Sequence, residues 1–407
     1  MSDTPRLLYL GHNLPYPPNE GALIRSYHTV RLLSRYFDVH ALYFFRKSAL
    51  ATPEAQRASL DQMRTLCPAE AFPIPQESSR RRLLADHLRS TATFTPYTQW
   101  TYRSKDYRRA LGQLLRQYDF DLVHVDSIDL IDYLPDLSGP PIVLAHHNVE
   151  SSLLRRRAQA ESGLKRAYIL HQANLVEQAE RYWLPRVALN VAVSREDVTL
   201  FQRFAGEASY LVIPNGVDTE SFTPSGREPT GDMVFVGGYS WFPNADGMEY
   251  FTDAILPLIA QAEPQIEVKW IGKAPNDAHA RFADRGVELL GYVDDIRPPM
   301  HDAKCSIVPL RVGGGTRLKI LDAWALGKAV VSTSRGCEGL ETRHGENILI
   351  ADDPQAFADA CLRVLNDPEL RMTLERAGRK TVEEHYDWNA LGERMFERYR
   401  SLLGKKS

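Results

Sequence analysis

A chain of 407 residues is longer than one ordinary hydrophobic core supports, and it predicts two domains of roughly 150 to 200 residues each. A formal net charge of −3 excludes a global field that would gather nucleic acid, so any basic contact has to be local. Cys67, Cys305, Cys337 and Cys361 are scattered with no C-x-x-C pair, which speaks against a disulfide framework or a zinc site and fits reduced thiols.

Met1 to Pro5 leads into a strand without the basic and apolar stretches of a signal, and no run reaches membrane-spanning length, so the expected compartment is the cytoplasm. Leu7 to Leu10 reads as a first apolar strand. A Pro-rich loop follows, and Gly21 opens a helix whose Leu23, Tyr27, Val30 and Leu33 share a face. Val39 to Phe45, Leu122 to Val125 and Ile142 to Ala145 are further buried strands, the last two each running into polar residues. Strands alternating with helices predict a parallel sheet, whose ligands sit at the C-terminal strand ends. Ser151 to Trp183 is mostly helical with an interruption near Ser162-Gly163, and Val187 to Val193 returns as a strand.

The pattern restarts after the turn-rich run Pro214 to Asp218, read as a hinge. Met233 to Gly237, Ile266 to Ile271, Val287 to Leu290, Cys305 to Val308, Val330 to Thr333 and Ile348 to Ile350 are the strands of the second half. Pro368 to Tyr386 and Trp388 to Leu403 read as terminal helices. The expected fold is α/β, two Rossmann-like doubly wound domains facing across a cleft. Their expected extents are 1–208 and 209–386, with 387–407 as a C-terminal helix.

The run from Val308 to Leu340 carries the most chemistry. After a short apolar strand, Gly313, Gly314 and Gly315 let a ligand approach the backbone, and Thr316 is placed to cap a helix that Gly327 ends. Free N–H groups at such a helix start favour an anion. Arg317 and Lys319 stand in its first turn, against the helix dipole, which also points to an anionic ligand. On the glycine loop alone, an ordinary βα turn is the competing reading.

Gly313 to Thr333 resembles the donor-site signature of the retaining, GT-B-fold family 4 glycosyltransferases, whose motif runs G-G-G-T-R-L-K-I-L-E-A-M-A-x-G-x-P-V-V-S-T. Here Asp322 replaces the Glu, Trp324 the Met and Ala329 the Pro. Further segments match in the expected order over most of the chain. Pro17 to Arg25 is similar to the family's first loop, which implies roles for Gly21 at the donor phosphates and for Arg25 at phosphate or acceptor. Ala145 to Glu150 contains the family's His beside an Asp or Asn, which implies that His147 contacts the sugar or the acceptor hydroxyl. His146 is the competing choice, and Asn148 is a further acceptor-side candidate.

Gly237 and Gly238 end the first strand of the second half without a G-x-G-x-x-G pattern, which disfavours a dehydrogenase. Relatives often carry an Arg and a Lys there, whereas this chain has neither between Gly237 and Asp246. The phosphate role then falls to Arg317 and Lys319, with Lys273 and Arg25 as further candidates. Tyr292 and Val293 match the point where relatives hold the base. Asp322 would accept hydrogen bonds from ribose hydroxyls, while the acidic residue eight positions earlier is replaced by Gly314.

The resemblance implies transfer of a sugar from a nucleoside diphosphate sugar to a glycan, lipid-linked or small-molecule hydroxyl, as in polysaccharide biosynthesis, with retention. His147, Arg317 and Lys319 are the expected catalytic residues. No cofactor and no nucleic-acid partner are expected, and no metal, because neither His146 nor His147 has metal-ligand spacing to a third residue. The alternatives are a sugar-nucleotide epimerase and a non-catalytic, nucleotide-sugar-binding partner of another transferase. Arg80-Arg81-Arg82 with Leu83, Leu84 and Leu88, and Arg155-Arg156-Arg157, are either solvated faces or peripheral contacts with anionic lipid at the inner membrane face.

Overall fold

The computed structural model describes residues 4–159, 161–313 and 317–403. Two compact units divide the chain: residues 1–214 with 392–407, and residues 215–391.

The first unit is built on seven strands, β1 (Arg6–Gly11), β2 (Asp38–Phe45), β3 (Ala69–Pro73), β4 (Leu122–Val125), β5 (Ile142–Ala145), β6 (Leu189–Ala192) and β7 (Tyr210–Val212). Their order is β3-β2-β1-β4-β5-β6-β7, and every pairing is parallel. The central strands are mostly apolar, with Leu7, Leu8, Leu10, Val123 and Leu144 fully buried, because a parallel sheet is covered on both faces; His124 and Asn190 are polar residues buried among them. Order reverses beside β1, so the loops after β1 and β4 diverge there, at the position where open α/β sheets bind ligands. The last helix, Trp388–Leu403, ends within this unit, where Tyr36 stacks on Phe396 at 4.1 Å and the Tyr399 hydroxyl meets His124 Nδ1 at 2.8 Å.

The second unit has six parallel strands, β8 (Gly231–Val236), β9 (Val268–Ile271), β10 (Val287–Gly291), β11 (Ala303–Val308), β12 (Ala329–Ser332) and β13 (Leu349–Ile350), in the order β10-β9-β8-β11-β12-β13. The switch point lies between β8 and β11, the two strands that lead into the Gly237 loop and the glycine loop. The helix Leu318–Ala325 follows that loop, and Gly327, with φ +65°, terminates it as a left-handed residue. Trp324 is wholly buried, donating to the Asn347 carbonyl at 3.0 Å. Gly378 makes room for it, since a Cβ there would stand 2.4 Å from the indole.

Candidate functional site

In the first unit, the ends of β1, β4 and β5 deliver His12, Asp126 and His147 to one place. Asp126 is 1% exposed and accepts a 2.5 Å hydrogen bond from Ser26 Oγ. His147 Nε2 lies 3.5 Å from one carboxylate oxygen, and His12 Nδ1 lies 3.6 Å from the other. His124 Nε2 is 3.8 Å away. Burial by itself would raise the Asp126 carboxyl. The charge interaction with His147, together with the close imidazoles of His12 and His124, instead holds it well below the usual carboxylate range.

His147 Nε2 also lies 2.9 Å from the Asp126 carbonyl. A carbonyl only accepts, so this nitrogen carries the proton, which leaves Nδ1 as the ring's other polar atom. The neighbouring His146 has a different environment. It continues the β5 ladder, its N–H bonding to the Val191 carbonyl at 2.9 Å. Its ring is buried against Phe201 at 4.7 Å and meets Asn190 Oδ1 at 3.2 Å. Burial pushes its imidazole down to about 4, so it is neutral at physiological pH.

Glu150 opens the helix after His147, with its carboxyl pushed up to about 7 by burial and by Asp129. Asn148 Nδ2 reaches it at 3.5 Å. Arg25 is buried and donates to the Ile213 carbonyl at 2.9 Å, a place that braces the unit from within. Gly21 begins the helix Gly21–Leu33 on which Arg25 and Ser26 ride.

In the second unit, backbone bonds from Gly237 to the Ile271 carbonyl (2.8 Å) and from Gly272 to the Gly291 carbonyl (2.9 Å) draw together the ends of β8, β9 and β10. Asn244 links this edge to the helix after the glycine loop. Its amide donates to the Gly238 carbonyl at 3.0 Å and accepts from Lys319 Nζ at 2.7 Å. Lys319 also sits 4.1 Å above the Phe235 ring. Burial first, then the charge of Arg317, pushes its amine down to about 7.

Arg317 is buried and donates to the Arg335 carbonyl at 2.7 Å, with Glu338 at 3.6 Å. Asp322 is partly buried on the same helix, and burial pushes its carboxyl up to about 7. Tyr292 stands 62% exposed at the end of β10, with Val293 packed on the core. Arg317 and Lys319 thus bring two cationic side chains to the start of the helix after the glycine loop, beside the rim of a parallel sheet, a combination that can answer an anionic ligand.

A family model described as Glycosyltransferase Family 4 matches residues 47–221, and one described as Glycosyl transferases group 1 matches residues 230–367. The chain belongs to the family 4, group 1 glycosyltransferases. An uncharacterized 44.6 kDa protein in cps region of Klebsiella pneumoniae is 27% identical over 165 residues, 38% of this chain and 42% of that protein. Phosphatidyl-myo-inositol mannosyltransferase of Mycobacterium tuberculosis is 28% identical over 361 residues, 82% of this chain and 83% of that one. Among solved structures, sucrose-phosphate synthase from Thermosynechococcus elongatus shares the GT-B fold, with a TM-score of 0.72 at 17% identity over 98% of this chain and 99% of that one.

The residues expected in this glycosyltransferase from sequence fall into two groups. Gly237, Gly238, Gly313, Arg317, Lys319, Asp322, Tyr292 and Val293 belong to the second unit. Gly21, Arg25, His146, His147 and Asn148 belong to the first. Gly314, Gly315 and Thr316 lie outside the described residues. Sequence spacing offered the histidines no third metal-type ligand, and here the fold corrects the reading. Nitrogen and oxygen atoms of His12, Asp126 and His147 lie within 4.8 Å of one another. His12, Asp126 and Asn244 were not foreseen as site residues. The available signal for the first two was a polar residue placed directly after a buried strand.

Proposed function

We propose that this glycosyltransferase moves a sugar from a nucleoside diphosphate sugar to a hydroxyl acceptor with retention and without a metal. The observation that carries the reading is the pairing of Arg317 and Lys319 beside the rim of the second sheet, with Lys319 held by Asn244 and facing no carboxylate among the described residues. A diphosphate supplies the negative charge that this rim is shaped to receive. As the glycosidic bond breaks, charge grows on the leaving diphosphate, and a cationic Lys319 and Arg317 stabilise it without reorganising. A phosphate oxygen of the donor takes the acceptor proton on the face from which it departs. Asp322 is assigned to the ribose, and Tyr292 and Val293 to the base.

His147 is assigned to the reacting hydroxyl, oriented through Asp126. The mycobacterial relative is named for mannosyl transfer to phosphatidyl-myo-inositol, which supports a hexosyl donor and a lipid-linked or glycan acceptor. The four cysteines are buried and unbridged, which supports a reaction in a reducing compartment such as the cytoplasm. The test is a screen of nucleotide sugars by thermal shift with calorimetric confirmation, followed by transfer assays with the donor that binds. A donor that binds and is turned over with retained anomeric configuration supports the reading. Binding of no nucleotide sugar contradicts it.

A further inference from the structure

The helix Arg80–Thr93 in the first unit is built inside out. Its inward face is polar: Asp86 is fully buried between Arg82 at 3.3 Å and Arg89 at 3.1 Å, and Ser90 accepts from Gln172 at 2.8 Å. Its outward face is apolar, with Leu84 and Leu88, one turn apart, 62% and 65% exposed. Leu83 flanks them. Phe94 ends the helix with its side chain 72% exposed and φ at +50°, a left-handed conformation that a bulky aromatic residue rarely adopts.

A second helix extends this surface. His87 meets the Tyr168 hydroxyl at 2.5 Å, and Phe94 lies edge-on to His171 at 6.4 Å. The helix Gly163–Trp183 touches this one through those side chains, and its Leu164, one turn before Tyr168, is 91% exposed. Of the six large apolar side chains exposed among the described residues of the first unit, four lie on the helix Arg80–Thr93 or its cap, and a fifth, Leu164, lies on the helix that it touches. That clustering goes beyond the scatter of single apolar residues normal for a protein surface.

The charge around the patch identifies its partner. Arg80, Arg81 and Arg166 are exposed at its border and pair with no carboxylate among the described residues. The nearby acids are already engaged, Asp86 by Arg82 and Arg89, and Glu161 by Lys165 at 2.6 Å. A two-fold contact with a second copy would bring these arginines against themselves. An anionic lipid surface complements both features: the leucines enter the headgroup boundary and the arginines meet the phosphates. No described helix is long and apolar enough to cross a membrane, so the contact is with the surface. We propose that the outer face of Arg80–Thr93, together with Phe94 and Leu164, docks on an anionic lipid bilayer.

The experiment is co-sedimentation of the full chain with vesicles of phosphatidylcholine alone or mixed with phosphatidylglycerol. Binding is expected to the mixed vesicles and to weaken with salt. The Leu84→Ser, Leu88→Ser double variant should bind about tenfold more weakly, as should the Arg80→Glu, Arg81→Glu double variant. Each should keep the wild-type melting temperature, because the altered side chains are exposed. Equal binding to both vesicle types, wild-type binding by the leucine variant, or no binding by the wild-type chain would overturn the proposal. So would sedimentation velocity showing a dimer that the leucine variant dissolves, which would assign the face to a second copy. The outcome is independent of the donor chemistry, since the patch shares no residue with either candidate site.

Discussion

The two units handle charge in opposite ways. In the first, Asp126 is buried among His12, His124 and His147 and accepts from Ser26, so its charge is answered from within the unit. In the second, Lys319 faces an aromatic ring and an amide oxygen, and burial brings both it and Asp322 to about 7. The first centre is assembled before any substrate arrives. The second holds groups that change charge near neutral pH. A buried charge is tolerated only where it is paired or where it titrates, and this protein uses both solutions, one in each unit.

Removing the anchor of the first centre should have the largest effect. Asp126→Ala withdraws the carboxylate that His12, His124 and His147 share, and the first unit should lose on the order of 3 kcal/mol, the lower end for breaking a buried ionic contact. Denaturant unfolding monitored on the first unit measures it; a wild-type midpoint would mean that the cluster is incidental. Because the folded carboxyl lies below its usual range, its contribution is present above the unfolded value near 4 and is lost as pH falls through the folded value.

The adjacent histidines should divide in their behaviour. His147→Ala should slow transfer by about two orders of magnitude while leaving nucleoside diphosphate affinity intact, the loss expected for a positioned polar group used mainly in the transition state. His146→Ala, which removes a buried ring packed on Phe201, should chiefly lower the melting temperature. Exchange of these phenotypes between the two variants would move the assignment by one residue.

A subtler contrast lies in protons. At pH 8 the free protein holds Lys319 mostly neutral, since its folded value is about 7, and a bound diphosphate favours the charged amine. Binding should therefore take up roughly one proton per site, measured by calorimetry in buffers of different ionisation enthalpy. Lys319→Met should abolish that uptake, and uptake unchanged in the variant would place the titrating group elsewhere. The smallest expected effect is that of a chelator on transfer, which should be nil. A loss restored only by a divalent ion would instead assign His12, Asp126 and His147 to a metal.

Legibility in the sequence followed how local each feature is. The central strands announce themselves because both faces are buried and the run is mostly apolar. β3 (Ala69–Pro73) and β7 (Tyr210–Val212) lie at sheet edges, are short and partly exposed, and carry no such signal. The cations of the second unit are close neighbours in sequence to the glycine loop, so they could be read as a motif. The first centre joins residues 12, 126 and 147 from three strand ends, and only the strand order brings them together. The different surroundings of His146 and His147 arise because the backbone pairing continues one residue past β5, a boundary that residue type does not encode.

The central claim is that the second unit holds the diphosphate while the first drives transfer, and calorimetric titration with the nucleoside diphosphate of the active donor tests it most directly. Arg317→Ala and Lys319→Ala should each weaken binding by about 1.5 to 3 kcal/mol, the range for hydrogen bonds to charged groups, while His147→Ala binds as tightly as wild type. Unchanged affinity in both cation variants, or a comparable loss in His147→Ala, would contradict the account.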